Sequence, residues 1–196
     1  MKSKKKRVVW VCLTVLFVIG GIFAQDAAEA ERSRFAGEWV FDARLSDATY
    51  LSDMLKSRIL KISYSYPSLA ITESFRVKQE TKTLEQKFFV DGRGETNAAG
   101  IPEPISEIDS ITAWDGATLV RTYRLDVLLS FDASGKNADQ KNIGHTDVTE
   151  RYWLSSDGNI LYKSVDSKLD KKAIAELHAP ETSKKKITPL AFRRKN

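Results

Sequence analysis

Three polar residues stand where their neighbours are apolar, and through them this sequence could do chemistry. Glu73, Gln86 and Arg121 each lie on the apolar phase of an alternating stretch. Burying a polar group without a partner costs about 1 to 3 kcal/mol, so something must compensate each of them. Two interpretations stay open. Either a β-bulge turns them outward or Glu73 pairs with Arg121, or they line a cavity and fix the polar end of a bound ligand.

Common catalytic and metal-binding motifs are missing from the sequence. His145 and His178 are not at metal spacing with another histidine, a cysteine or a pair of carboxylates. Residues 132–139 lack the alternating oxygen ligands of a calcium loop. There is no Gly-x-Ser-x-Gly motif, P-loop or dinucleotide fingerprint. We therefore expect no metal, no cofactor and no enzymatic activity.

The N-terminal segment has the pattern of a secretory signal peptide. Basic residues crowd positions 2–7 and precede an uncharged, mainly apolar run over residues 8–24. We predict cleavage after Ala24 and a periplasmic or secreted protein. The alternative is an uncleaved membrane anchor formed by residues 8–24, because about 18 apolar residues are enough to suggest a membrane span.

Charge and cysteine content describe the protein that would remain after cleavage. The whole chain has 31 Lys plus Arg against 26 Asp plus Glu. Removing residues 1–24 takes away five basic residues and no acid, which leaves 26 against 26. A neutral chain does not indicate nucleic-acid binding. Because the only cysteine, Cys12, would also be lost, we expect a core held by apolar burial without disulfides.

Hairpin turns and alternating apolar residues indicate how these side chains are positioned. Asp-Gly pairs at 91–92, 115–116 and 157–158 lie between apolar segments, which is a strong signal for β-hairpins. We predict an all-β fold, an antiparallel up-and-down meander barrel of about eight to ten strands with one or two short helices. Residues 25–34 would be a flexible lead-in, and residues 35–196 a single domain.

The predicted elements follow the alternation and its interruptions. Strands are expected over residues 35–42, 60–66, 69–77, 84–90, 110–114, 118–131, 149–155, 160–165 and 187–194. Short helices are expected within 45–57 and 167–177, the second with Ser167 and Asp170 as a capping box. Residues 96–104 and 132–144 would be loops.

The first predicted strand carries a family resemblance. Its Phe-Ala-Gly-Glu-Trp segment at 35–39 is similar to the Gly-x-Trp first strand of lipocalin-like proteins, part of the calycin group. With the segments at 114–120 and 150–158, the chain resembles small exported bacterial barrels of that type from Phe35 to Arg194. In that group a basic residue of the last strand packs across the tryptophan. The resemblance therefore implies that Arg193 or Arg194 packs on Trp39.

The leading functional hypothesis is an exported, non-enzymatic, lipocalin-like barrel that binds a small apolar or amphipathic molecule. Glu73 and Arg121 would orient the ligand. The wall residues would be Tyr64, Phe75, Phe88, Tyr123 and Tyr152. Plain core packing is the alternative for each of these residues, because an eight-stranded barrel can be filled by its own side chains.

The competing hypothesis is an envelope interaction or structural module with a packed barrel and no ligand. Alternation that turns Tyr152 inward places Trp153 on the outer face with Thr149 and Arg151. An exposed tryptophan is a favoured protein-contact residue, so Trp153 is the predicted partner site. The membrane would be involved only through an uncleaved N-terminal segment.

Overall fold

A computed structural model describes most of the chain beyond its N-terminal segment. The described residues are 28–46, 56–99, 106–130, 140–177 and 189–195. The predicted signal peptide at residues 1–24 and most of the predicted helix within 45–57 lie outside these ranges and stay predictions. The chain divides into two units, residues 1–34 and residues 35–196.

Of the first unit, the structure describes a short helix, α1, over residues 28–33. The sequence predicts a flexible lead-in over residues 25–34, and the helix differs from that expectation. Alanine, glutamate and arginine are good helix formers, and they make up most of this segment. A salt bridge between Arg32 and Glu29, one turn apart, adds to the helix.

The second unit is an all-β barrel of ten antiparallel strands in up-and-down order, as the sequence predicts. The strands are β1 (Gly37–Phe41), β2 (Ile59–Ser65), β3 (Ser68–Val77), β4 (Glu80–Phe89), β5 (Glu95–Ala99), β6 (Ser106–Asp115), β7 (Thr118–Ser130), β8 (Gln140–Leu154), β9 (Ile160–Leu169) and β10 (Leu190–Arg194). One short helix, α2 (Lys171–Leu177), follows β9. No helix among the described residues combines the length and apolar character needed to cross a membrane.

The strand order makes the barrel nearly closed. Apart from β4 and β5, which do not pair with each other, each strand pairs with its sequence neighbours. β1 also pairs with β10, so β4 and β5 are left as the two edges of the sheet. Short turns join the strands at one end of the barrel, where β1 begins and β10 ends. Most connections at the opposite end are long, including the one between β1 and β2 and the one between β9 and β10. We call the first end the turn end and the second the loop end.

Two of the three predicted Asp-Gly hairpins are confirmed, and the third is wrong. Gly116 and Gly158 have φ of +60° and +73° in the turns that join β6 to β7 and β8 to β9. The turn at Asp91–Gly92 does not pair β4 with β5. Instead the Gly92 N–H donates to the Thr112 carbonyl at 3.1 Å, so the chain crosses to β6 before β5 begins.

Both predicted loops contain strand residues, which corrects the sequence interpretation. β5 occupies residues 95–99, where small and polar residues hide the alternation. β8 begins at Gln140, inside the predicted loop at 132–144. Its pairing with β7 shifts register between Val127 and Leu128. A bulge of this kind breaks the period of two by which strands are recognised.

Buried apolar residues close the turn end of the barrel. Trp39, Leu69 and Leu161 have no exposed surface, and the Phe35 ring lies 5.0 Å from that of Trp114. The guanidinium of Arg194 lies 4.3 Å from the ring of Trp39. We call this layer the apolar floor. Of the two arginines that the resemblance implies, Arg194 therefore lies over Trp39.

Arg193 points the other way along β10. It forms a salt bridge of 2.9 Å with Asp42, at the end of β1. Alternation along a strand places neighbouring side chains on opposite faces, so only one of the two arginines can reach the tryptophan.

Helix α2 begins at a cap that the sequence indicates only in part. Asp170 accepts a hydrogen bond from the Ala173 N–H at 2.7 Å, which is the geometry of an N-cap. Its second carboxylate oxygen accepts from the His145 N–H at 3.1 Å. Ser167 still belongs to β9, so the helix starts with Asp170 as the cap and not with a capping box from Ser167.

Candidate functional site

The barrel interior, or lumen, contains all the side chains that the sequence singles out as ligand-binding candidates. They lie on the inward phase of β2, β3, β4, β7 and β8. Five of them are buried (Phe75, Phe88, Tyr152, Glu73 and Arg121), and Tyr64 and Tyr123 are half-buried. The alternation thus places these residues on one face of the sheet. A role in binding stays a prediction.

Glu73 pairs with Arg58, so the predicted pair with Arg121 is wrong. Arg58 Nε lies 2.5 Å from Glu73 Oε1, and each side chain is 11% exposed. Arg58 precedes β2, and β2 pairs directly with β3, the strand of Glu73. No predicted strand includes Arg58, so the sequence pattern gives no sign of this partner.

Glu150 is the centre of a second buried cluster. Its carboxylate lies 3.2 Å from Lys163 Nζ and 3.5 Å from Arg121 Nη1. The hydroxyls of Tyr152 and Tyr123 donate to it at 3.2 and 3.4 Å. Lys163 follows Leu161 on the inward phase of β9, and Glu150 precedes Tyr152 on that of β8. The same alternation in the sequence could have identified Lys163 and Glu150 as inward residues.

The electrostatics of this cluster favour its ionised form. Burial alone would raise the pKa of Glu150, but the positive charges of Lys163 and Arg121 hold it below its usual value. Burial opposes charge on Lys163 as well, and the Glu150 carboxylate outweighs it and raises the lysine pKa. Burial, then the Glu150 charge, raises the pKa of both Tyr152 and Tyr123, so both phenols stay protonated donors.

Arg121 lies in the lumen between two aromatic rings. Its guanidinium carbon is 5.0 Å from the centre of the Phe88 ring and 4.7 Å from that of Tyr123. Nε donates to Ser110 Oγ at 3.0 Å, and Nη1 faces Glu150. Nη2 is buried and has no hydrogen-bond acceptor among the described residues. The two N–H groups of this nitrogen are therefore available to a ligand.

Glu95 completes the row of charges on the opposite side of Arg121. It accepts hydrogen bonds from Ser110 Oγ at 2.6 Å and Thr112 Oγ1 at 2.8 Å. Ser110 thus links Arg121 to Glu95. We call the row of six charged side chains the lumen belt, which consists of Arg58, Glu73, Lys163, Glu150, Arg121 and Glu95.

The lumen belt is slightly exposed in places, whereas the apolar floor is fully buried at its centre. The Lys163 side chain is 15% exposed, whereas Leu69 and Leu161 are fully buried. The described part of the lumen therefore has an apolar floor at the turn end and a row of charged, hydrogen-bonding side chains above it.

Side chains close the seam between the edge strands β4 and β5. Asn97 accepts from the Lys87 N–H at 2.7 Å and donates to the Lys87 carbonyl at 2.8 Å, as a paired backbone would. Gln86 donates to the Ala98 carbonyl at 3.2 Å, and the Phe89 N–H donates to Glu95 at 3.1 Å. Gln86 is therefore compensated at the seam, beside a depression of about 480 Å³.

The outer wall carries Trp153 and a separate depression. The Trp153 ring stacks on that of Tyr162, its cross-strand neighbour, with 5.4 Å between centroids and 21° between planes. An open depression of about 800 Å³ lies mainly against outward residues of β5 to β8, among them Ile111 and Thr122. The stack gives Trp153 a structural role in its hairpin. A protein partner at this residue stays a prediction.

The described residues contain no group of three His, Cys, Asp or Glu side chains that could hold a metal ion. His145 Nδ1 lies 2.8 Å from Asp126 on an exposed part of the barrel. His178 lies outside the described residues.

Comparisons with known proteins give structural likenesses but no match in sequence. No protein-family model matches the sequence, and no curated protein matches it at a significant level. Among solved structures, the chain is similar to one described as the REP1-NXSQ fatty acid transporter. The TM-score is 0.46 and the identity 12%, over 83% of this chain and 96% of that chain. This likeness is too distant to bear on function.

Proposed function

We propose that the protein is an exported, lipocalin-like barrel that binds one small apolar or amphipathic molecule in its lumen and catalyses no reaction. The observation that carries the proposal is that Nη2 of Arg121 is free to donate. Nη2 is buried and meets no acceptor among the described residues. A buried donor without an acceptor costs about 1 to 3 kcal/mol. A ligand with an acceptor at this point would remove that cost.

The form of the lumen supports the same function. An apolar floor lies at one end, and half-buried Tyr123 lies nearer the loop end than Arg121 on the same strand. Barrels of about this size hold one small ligand between floor and mouth. Apolar walls with a few placed polar groups are typical of small-molecule sites.

The stability of the barrel alone does not explain why its lumen contains six charged side chains. Replacing buried ion pairs by well-packed apolar residues is often neutral or stabilising. A barrel filled only by its own side chains would be expected to use that simpler solution. The presence of six charged side chains in the lumen therefore favours a lumen that orients a ligand.

The location of this function follows from the N-terminal sequence. A basic segment followed by the apolar run at residues 8–24 directs the protein to export, with cleavage after Ala24. Binding would then take place in the periplasm or outside the cell.

Native mass spectrometry and dye binding test the proposal together. We expect the purified protein to carry a small-molecule adduct that delipidation removes, and the delipidated protein to bind one equivalent of Nile red. Tyr123→Ala should weaken dye binding about tenfold by removing an aromatic lumen wall. Thr122→Ala, on the adjacent outward position, is the control and should leave it unchanged.

Circular dichroism and thermal unfolding would establish that both variants are folded. A delipidated protein that binds no dye, from preparations that carry no adduct, would contradict lumen binding. That result would favour the envelope module with a packed barrel. Equal loss of dye binding in the two variants would place the dye outside the lumen.

A further inference from the structure

We infer that the polar head of the ligand is an uncharged hydrogen-bond acceptor, such as an ester, amide or alcohol oxygen, and not an ionised acid. This inference rests on the proposed lumen binding and names the class of molecule bound. Two features of the lumen belt support it independently, its charge balance and the single guanidinium nitrogen that it leaves without an acceptor.

Every cation of the belt already has an acid beside it. Arg58 lies 2.5 Å from Glu73, and Lys163 lies 3.2 Å from Glu150. Arg121 faces Glu150 at 3.5 Å and reaches Glu95 through Ser110. The belt therefore has three basic and three acidic side chains and a formal charge of zero. An ionised head would add a negative charge that no cation of the belt is left to balance.

The other inward cations that the structure describes are also occupied. Lys82, on the inward phase of β4 near the loop end, pairs with Glu80 at 3.5 Å. Arg194 lies in the floor over Trp39 and donates to the Ala36 carbonyl at 3.0 Å. Neither supplies a spare positive charge to a ligand at Arg121.

The hydrogen bonds of Arg121 also favour an uncharged acceptor over a carboxylate. A carboxylate is held best by two parallel N–H groups of one guanidinium. Here Nε donates to Ser110 and Nη1 faces Glu150, so only Nη2 remains. The two N–H groups of Nη2 diverge, so they do not form the parallel pair that a carboxylate prefers, and each suits a single acceptor oxygen. A carboxylate on Nη2 would also face the negative charge of Glu150 across the same guanidinium, in a site where solvent screening is weak.

Displacement of Nile red by two probes with the same acyl chain tests the inference. Decanoate and methyl decanoate are titrated at pH 7.5 against the delipidated protein. We expect the ester to bind at least tenfold more tightly. In Glu150→Gln the belt gains a net positive charge, and the ratio of the two affinities should shift at least tenfold toward decanoate. Asp147→Asn, three residues away on the outer wall, removes the same charge and should leave the ratio unchanged.

The change in ratio is decisive because it cancels the greater hydrophobicity of the ester. Glu95→Gln gives the belt the same net charge from another strand and serves if Glu150→Gln fails to fold by circular dichroism. Decanoate binding as tightly as the ester in the wild type, or a ratio that does not move in the folded belt variant, would overturn the inference. Failure of both probes to bind the wild type would instead contradict lumen binding itself.

Discussion

Glu150 shows how single residues are held in the lumen. Its carboxylate accepts from two cations and two phenols, so all its oxygen sites are used in a place that water hardly reaches. A buried ion pair of this kind adds little stability relative to apolar residues of the same size. Removing one partner is costly, because the other charge then stays buried without compensation.

Lys163→Met should therefore destabilise the protein by about 1.5 to 3 kcal/mol, because Glu150 loses one of its two cations. The substitution keeps the length of the side chain and leaves Glu150 with Arg121 as its remaining cation. Lys141→Met is the matched control, because Lys141 forms an exposed pair with Glu176 and should cost at most about 1 kcal/mol. Urea unfolding measures both. Similar losses in the two variants would show that the buried cluster is not maintained.

The ionisation of Glu150 should also make the free energy of unfolding depend on pH in the acid range. Its pKa in the folded protein lies below its ordinary value of 4.5, so its contribution is present above that pH and is lost as the pH falls through the lower folded value. Unfolding free energies measured from pH 7 to pH 3 should fall more steeply for the wild type than for Glu150→Gln. The variant would start from lower stability at pH 7. Parallel curves would contradict ionisation of Glu150 in the lumen.

At the scale of elements, the seam between β4 and β5 is where the barrel departs from a simple meander. The Asp91–Gly92 turn has the sequence of a hairpin, but the strands on either side are the edges of the sheet. The side chain of Asn97 supplies to Lys87 the donor and acceptor that a neighbouring strand would have supplied. A side chain that replaces a neighbouring strand in this way produces no periodic pattern, so the sequence cannot indicate the contact.

Asn97→Ala should open this seam. It leaves the Lys87 N–H and carbonyl without the partners they have in the wild type, so we expect a loss of about 1 to 3 kcal/mol. Hydrogen exchange at the Lys87 amide should become faster, while amides between β7 and β8 stay protected. The control is Thr96→Ala at the neighbouring position, which removes an exposed hydrogen bond to Asp109. Unchanged exchange at Lys87 in Asn97→Ala would show that the seam is closed by other contacts.

Alternation was enough to predict most of the strands and the inward direction of Tyr64, Phe75 and Phe88. It was not enough to predict which charges meet. Glu73 finds Arg58, which precedes β2, and Glu150 meets Arg121 and Lys163 only because β7, β8 and β9 pair in one particular register. Register depends on turn lengths and bulges, and the bulge at Val127 and Leu128 is hidden by the polar residues that face it.

For the molecule as a whole, the pairing of β1 with β10 closes the barrel around one apolar floor. The packing of Arg194 on Trp39 ties the last strand to the first, as the family resemblance implies. The described residues contain no cysteine, because Cys12 is the only cysteine of the sequence. The stability of the described barrel should therefore not depend on thiol chemistry.

Thiol labelling distinguishes a chain that has been cleaved after Ala24 from one that keeps residues 8–24 as an anchor, because Cys12 lies inside that segment. Expressed in a bacterium with its own N-terminus, the chain should accumulate as a form that begins at Gln25 and takes up no iodoacetamide under denaturing conditions. Its thermal unfolding should be the same with and without dithiothreitol. Ala24→Arg, which removes the small residue before the cleavage point, should instead leave a labelled precursor in the membrane fraction. A labelled wild-type chain in that fraction would show that residues 8–24 remain as an anchor and that the lumen works at the membrane surface.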